Sequence, residues 1–245
     1  MKPDFKNLIP ACLLALSALI TTSCQQKAAS HNTLADEEQK DGWQLLFDGK
    51  TLHNWHIYNK GDTASAWKVS NGELWCDSKI KNIHADLVSD SSYKNFDLKY
   101  EWKIAKAGNS GVMLDVQEDK KHGATFVTGP EMQLEDDENS PVHKGHPTQM
   151  AGSIFNVVPT DESVKPKPFG QWNTGRIVQQ NGKVTLWLNG KVTATADLNS
   201  EEWKKAIQQG KMQVYPDFGK IAEGRIALQD HLDATYFRDI KLKRL

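Results

Sequence analysis

The chain of 245 residues has only three cysteines, Cys12, Cys24 and Cys76, too few for the disulfide framework of a small secreted scaffold. It has no excess of basic charge. Its 30 Lys and Arg stand against 31 Asp and Glu, a formal charge of -1, which excludes a nucleic-acid partner of the usual electrostatic kind. No apolar run reaches the roughly 20 residues of a comfortable transmembrane helix. Gly-x-Ser-x-Gly, His-Glu-x-x-His, Walker and dinucleotide motifs are all missing, so the familiar nucleophile, zinc-protease and nucleotide signatures do not apply. Aromatic residues, by contrast, are plentiful. The 8 Trp, 8 Phe and 5 Tyr can close a core, which sets the chain apart from an acidic disordered one. The length suits one large domain, a size that β-sandwiches often reach.

The first residues read as an address. Lys2 and Lys6 precede the apolar run over residues 8–20, and Thr21-Thr22-Ser23-Cys24 follows. This is the pattern of a secretory signal over residues 1–23, ending in a bacterial lipoprotein box with Cys24 as the lipidated residue. The expected location is therefore outside the cytoplasm, on the periplasmic or outer-membrane face, with the membrane as a partner through the lipid anchor. Residues 24–40 contain no aromatic and few apolar side chains. They read as a flexible tether, and the globular domain is placed at residues 41–245. Loss of Cys12 with the signal and acylation of Cys24 leave Cys76 alone, with burial expected for it.

From Asp41 onward the pattern has period two. Phe96, Leu98, Tyr100, Trp102 and Ile104 alternate with Asp97, Lys99, Glu101 and Lys103, which is strand alternation with one buried face. Residues 183–188 and 235–242 behave similarly. Asn-Gly pairs at Asn71-Gly72, Asn181-Gly182 and Asn189-Gly190 predict two-residue hairpin turns, with a meander over residues 171–196. One helix is expected over residues 201–209, capped by Ser200, with acidic residues in its first turn and Gly210 at its end. The expected fold is an all-β sandwich of jelly-roll type with one short surface helix.

Glu131, Gln133 and Glu135 stand at i, i+2, i+4. On a strand they share one face, about 6.5–7 Å apart, while Met132 and Leu134 face the other way into packing. Polar groups along one sheet face suit a carbohydrate, and two carboxylates there can divide acid and base roles. Asn109 and Ser110 precede an apolar strand, and Gln229-Asp230-His231 ends another, which brings amide, hydroxyl and imidazole groups suited to sugar hydroxyls or proton transfer. Arg225 has the same potential. Among Trp55, Trp75, Trp102 and Trp172, most are expected in the core and one or two, with Trp172 the choice, beside a sugar. His143 and His146, near Asp136, are weak metal candidates, because no helix fixes their spacing.

These residues also carry a likeness to the 3-keto-disaccharide hydrolase family over roughly residues 41–244. The likeness rests on an ordered series: Gly42-Trp43-Gln44-Leu45-Leu46-Phe47-Asp48-Gly49-Lys50-Thr51-Leu52 with Trp55, Asp86-Leu87-Val88-Ser89, Glu101-Trp102-Lys103-Ile104, Asn109-Ser110-Gly111, Pro130-Glu131-Met132-Gln133, Ala151-Gly152-Ser153-Ile154-Phe155, Gly170-Gln171-Trp172-Asn173-Thr174, Gln229-Asp230-His231 and Phe237-Arg238-Asp239-Ile240. The resemblance implies a concanavalin-A-like β-sandwich acting on glycosides whose C3 hydroxyl has been oxidised. The family's acidic loop usually runs Leu-Asp-Asn/Asp and then a His. Here it reads Leu134-Glu135-Asp136-Asp137 with both histidines later, and which of them matches is left open.

A C3 ketone acidifies C2–H, so a base can remove that proton, the C1 aglycone can leave, and water can add afterwards. Glu131 and His231 are expected to move protons, with Glu101 as a reserve carboxylate and Gln133, Asn109, Ser110, Gln229, Asp230, Arg225 and Trp172 as substrate contacts. A divalent cation on the ketone oxygen is compatible with this chemistry, but no ligand set stands out. The competing readings are a non-catalytic sugar-binding module, a retaining glycosidase using Glu131 and Glu135, and, more weakly, an adhesion domain that holds a protein partner.

Overall fold

A computed structural model describes Met1 and residues 31–245. The signal, Cys24 and the first part of the tether lie outside the described residues. Thirteen strands follow one another: β1 (Trp43–Leu45), β2 (Trp55–Ile57), β3 (Trp67–Ser70), β4 (Glu73–Cys76), β5 (Leu87–Tyr93), β6 (Phe96–Ile104), β7 (Asn109–Val116), β8 (Glu131–Glu135), β9 (Asn173–Gln180), β10 (Lys183–Leu188), β11 (Lys191–Asp197), β12 (Gly224–Leu228) and β13 (Thr235–Arg244). They form two antiparallel sheets. The eight-stranded sheet runs β11-β10-β9-β6-β13-β4-β3, with β1 also paired to β13. The five-stranded sheet runs β2-β5-β12-β7-β8. The expected sandwich is present.

The period-two pattern decides which side chains fill it. Along β6, Phe96, Leu98, Tyr100, Trp102 and Ile104 are buried between the sheets, against Phe47, Leu74, Phe237 and, from the facing sheet, Met132 and Leu134. The Tyr100 hydroxyl reaches the Met132 sulfur at 3.0 Å, which ties the two layers together. All three Asn-Gly pairs form the expected hairpins β3–β4, β9–β10 and β10–β11, each with both residues at positive φ, the geometry that two-residue turns require.

The expected helix is α2 (Glu201–Gln209), preceded by a shorter one, α1 (Asp36–Lys40). Ser200 Oγ accepts from Trp203 N, and Trp203 is buried. Gly210 ends α2 with a negative φ, so its value there lies in close packing: a Cβ would stand 2.8 Å from the Ala206 carbonyl oxygen.

Part of the expected tether is docked. Asn32 is buried, donates to the Gly72 carbonyl at 2.9 Å and accepts from Asp239 N at 2.9 Å. Glu38 of α1 pairs with Lys241 at 2.8 Å. These contacts attach residues 31–40 to the outer face of the eight-stranded sheet. Composition concealed this because the partners are polar and distant in sequence.

Candidate functional site

Glu131, Gln133 and Glu135 do share one face of β8, the face turned away from the sandwich core. Register places their neighbours on β7: Glu135 opposite Asn109, Gln133 opposite Gly111 and Glu131 opposite Met113. Gln229 continues β12 beside them, its N–H donating to the Gly111 carbonyl at 2.9 Å. The segment over residues 152–155 closes the outer edge of β8 through bonds from Gln133 N to Ser153 O and from Phe155 N to Glu131 O. A cavity of about 390 Å³ results, lined by Asn109, Glu131, Gln133, Gln229 and His231 among the expected residues. His143 and Phe155, Phe126 and Tyr215, and Asn156, Lys211 and Met212 complete its wall.

Glu131 is 4% exposed and its Oε1 has no hydrogen-bond partner. Burial, and then the negative charges of Asp86 and Glu135, push its carboxyl well above the usual range. Gly111 makes this placement feasible. A Cβ there would lie 1.8 Å from Glu131 Oε1, so the carboxyl occupies the space that any other residue's side chain would fill. That is the physical reason for glycine in Asn109-Ser110-Gly111.

Glu135 has a different task. Its two oxygens lie 3.0 and 2.8 Å from His143 Nδ1, so the carboxylate fixes the imidazole with its proton on Nδ1. Nε2 is thereby left as the acceptor. The ring is 13% exposed and stands edge-on to Phe155 at 5.6 Å. His231 is on the rim, 54% exposed, with Asp233 3.8 Å from Nδ1. Gln133 donates to Asn109 Oδ1 at 3.0 Å, and buried Gln229 Oε1 has no partner.

Other expected site residues are elsewhere. Period two explains two of them. Ser110 lies between Asn109 and Gly111, so its hydroxyl turns from the cavity and donates to the Gln229 carbonyl at 2.9 Å. Asp230 lies between Gln229 and His231, and its carboxylate turns to His84 at 2.8 Å. Arg225 is four residues back along β12, roughly 13 Å from Gln229. It pairs with Glu118 at 2.9 Å and donates to the Ser89 carbonyl at 2.7 Å. Glu101 alternates with the core residues Tyr100 and Trp102 as expected, but on the sheet opposite the cavity, where Arg238 binds it at 2.7 Å. Trp172 packs on that same outer surface, with the Arg238 guanidinium 3.9 Å over its ring.

The weak metal candidates do not converge. Asp136 accepts from Ala107 N and Asn139 Nδ2, His143 is held by Glu135, and His146 is exposed on its turn. Among the described residues no group of three metal-ligating side chains gathers in the cavity.

The profile of the 3-keto-alpha-glucoside-1,2-lyase-like domain matches residues 42–243. The chain belongs to that family. Over its whole length it is 29% identical to a Bacteroides thetaiotaomicron protein named 3-keto-disaccharide hydrolase, and it covers all of that protein. A crystal structure from Parabacteroides distasonis, of a protein assigned as a glycosyl hydrolase, superposes with a TM-score of 0.82 at 35% identity, over 88% of this chain and 100% of that one. A second Parabacteroides distasonis structure, 24% identical, superposes at 0.65 over 83% of this chain and 99% of that one, and bears on the fold alone. In this member of the 3-keto-alpha-glucoside-1,2-lyase-like family, the aromatic wall of Phe126, Phe155 and Tyr215 was missed from sequence, as was the Glu135–His143 pair. Phe155 sits inside one of the motifs that carry the resemblance. The other two rings come from loops without periodicity, and the pairing of His143 with a carboxylate eight residues away has no sequence signal.

Proposed function

We propose that this protein is a glycoside hydrolase-like enzyme that cleaves 3-keto-glycosides by removing the C2 proton, expelling the C1 aglycone and adding water to the resulting enone. The observation that carries this reading is the unpartnered, buried carboxyl of Glu131 in the same cavity as an imidazole oriented by Glu135. The chemistry needs a base for C2–H and an acid for the departing oxygen. His143 is the base. Its Nδ1 proton is committed to Glu135, so Nε2 accepts the C2 proton, and the adjacent carboxylate stabilises the imidazolium that forms. Glu131 is the acid. Its burial favours the protonated carboxyl, which can give its proton to the leaving oxygen.

The electrons of the C2–H bond first form the enolate with the C3 oxygen, then the C1–C2 double bond as the C1–O bond breaks. His231 on the rim and Lys211 on the wall supply cationic or hydrogen-bonding groups for the developing enolate oxygen. Asn109, Gln133, Gln229 and Asn156 suit the remaining hydroxyls. Water then adds at C1 and C2 regains a proton.

A binding module gains nothing from a carboxyl buried without a partner, which costs stability. The retaining pair of Glu131 and Glu135 fits less well, because Glu135 already holds His143 through both oxygens. Glu131→Gln, His143→Ala and His231→Ala variants test the assignment on a chromogenic 3-keto-glucoside. Folded Glu131→Gln and His143→Ala proteins are expected to lose about 10²–10⁴-fold in kcat, and full rates in both would end the proposal. Export and lipid attachment through Cys24 belong to the same reading, and Cys24→Ala should release the protein from the membrane fraction.

A further inference from the structure

A second cluster of reactive side chains lies outside the cavity. Cys76 at the end of β4, His84 in the following loop and Asp230 after β12 bring Sγ, Nδ1 and a carboxylate oxygen all within 4.8 Å of one another. Cys76 and the Asp230 side chain are fully buried, and the His84 side chain is 15% exposed. The three donors differ in kind, and they come from three separate stretches of chain. His84 is also held from behind, because its Nε2 donates to the Ile80 carbonyl and Nδ1 faces Asp230 at 2.8 Å. A backbone carbonyl on the far nitrogen is the customary support of a metal-ligating histidine, since it fixes the ring with the near nitrogen turned to the ion.

We infer that Cys76, His84 and Asp230 form a binding site for one thiolate-preferring divalent cation, with Zn²⁺ the best match. Tetrahedral bonds of about 2.0–2.3 Å put ligand atoms roughly 3.3–3.6 Å apart, within the 4.8 Å span of the cluster. Binding displaces the thiol proton of Cys76 and the Nδ1 proton of His84, and water through the partly exposed His84 side supplies the fourth ligand. The surroundings favour a dication. Asp77 and Asp86 add negative charge around the three ligands.

The site lies next to the cavity without sharing its groups. Asp230 is flanked by Gln229 and His231, both on the cavity wall. An ion on Asp230 would anchor that segment to β4 and to the loop before β5, which makes the site structural in role. The inference does not depend on what the cavity binds.

The test uses the full chain, stripped of metal with a chelator and returned to buffer, and titrated with Co²⁺ and with Zn²⁺. A thiolate-to-cobalt charge-transfer band that saturates at about one equivalent is expected, together with a rise in Tm on adding Zn²⁺. Cys76→Ser should abolish the band, which also separates it from Cys12 and Cys24. His84→Ala, a change at a partly exposed side chain, should weaken Zn²⁺ binding by at least about tenfold. Glu131→Gln should keep both responses in full. Absence of the band in the wild type, its survival in Cys76→Ser, or an equal Zn²⁺ response in His84→Ala would overturn the inference.

Discussion

Glu131 and Asp115 are both carboxyls raised by burial, and they differ in what surrounds them. Glu131 opens onto the cavity with an unpartnered oxygen. Asp115 is at positive φ on β7 and accepts from Gln179 Nε2 at 2.7 Å, with its second oxygen unpartnered. Burial pushes Asp115 up to about 7. A pKa raised on folding favours the protonated form in the native state. Its contribution to stability is therefore fully present below the unfolded value near 4 and is lost as pH rises through about 7. Asp115→Asn, which keeps the Gln179 contact and tolerates positive φ, should be more stable than the wild type by about 2 kcal/mol at pH 8. The gap should close by pH 4 in denaturant melts.

The same sign holds for Glu131. Glu131→Gln should raise Tm at pH 8, where the wild-type carboxyl is hardest to accommodate, while it removes the acid that the chemistry needs. A variant that loses activity and stability together would mean that the carboxyl is structural. In the wild type, rate should fall as pH rises and Glu131 gives up its proton, and that limb should be missing from the residual activity of Glu131→Gln.

At the level of elements, β7 and β8 work as a pair. Gly111 has no side chain so that the carboxyl of Glu131 can lie across its strand. Gly111→Ala would set a Cβ 1.8 Å from Oε1. It should fold, because the bulk is added on the cavity face, but kcat should drop by at least about tenfold as the acid is displaced. An unchanged rate would show that the position of the carboxyl does not matter.

This pair also marks the limit of what the sequence disclosed. The alternation of Glu131, Gln133 and Glu135 was legible because strand geometry leaves one choice of face once Met132 and Leu134 are buried. The same rule, applied to Ser110 and Asp230, would have removed both from the site, since each lies between two residues that face the cavity. Glu101 was placed on the correct side of β6, but alternation carries no information on which of two sheets holds the cleft. Phe126 and Tyr215 come from loops and a short turn, where position is set by tertiary contacts rather than by period.

Across the whole molecule, the two sheets differ in what covers their outer faces, and the proposed chemistry belongs to the smaller one. The outer surface of the larger sheet carries ion pairs, Trp172 on Arg238 and residues 31–40 with α1, and a cavity of about 380 Å³ there is lined by Glu101, Arg176, Trp187 and Lys241. The outer surface of the smaller sheet is walled by segments over residues 122–128, 140–156 and 211–215, and it is there that carboxyl, imidazole and amide groups gather.

The central claim is that C2 loses its proton during cleavage, and turnover of a 3-keto-glucoside in D₂O tests it most directly. Mass spectrometry of the released 3-keto-sugar should find one carbon-bound deuterium at C2, gained when the enone is hydrated, above a control in which the finished product is incubated with the enzyme. The matching unoxidised glucoside should remain intact. Cleavage of the unoxidised glucoside at a comparable rate, or a product from the keto substrate without deuterium at C2, would contradict the account.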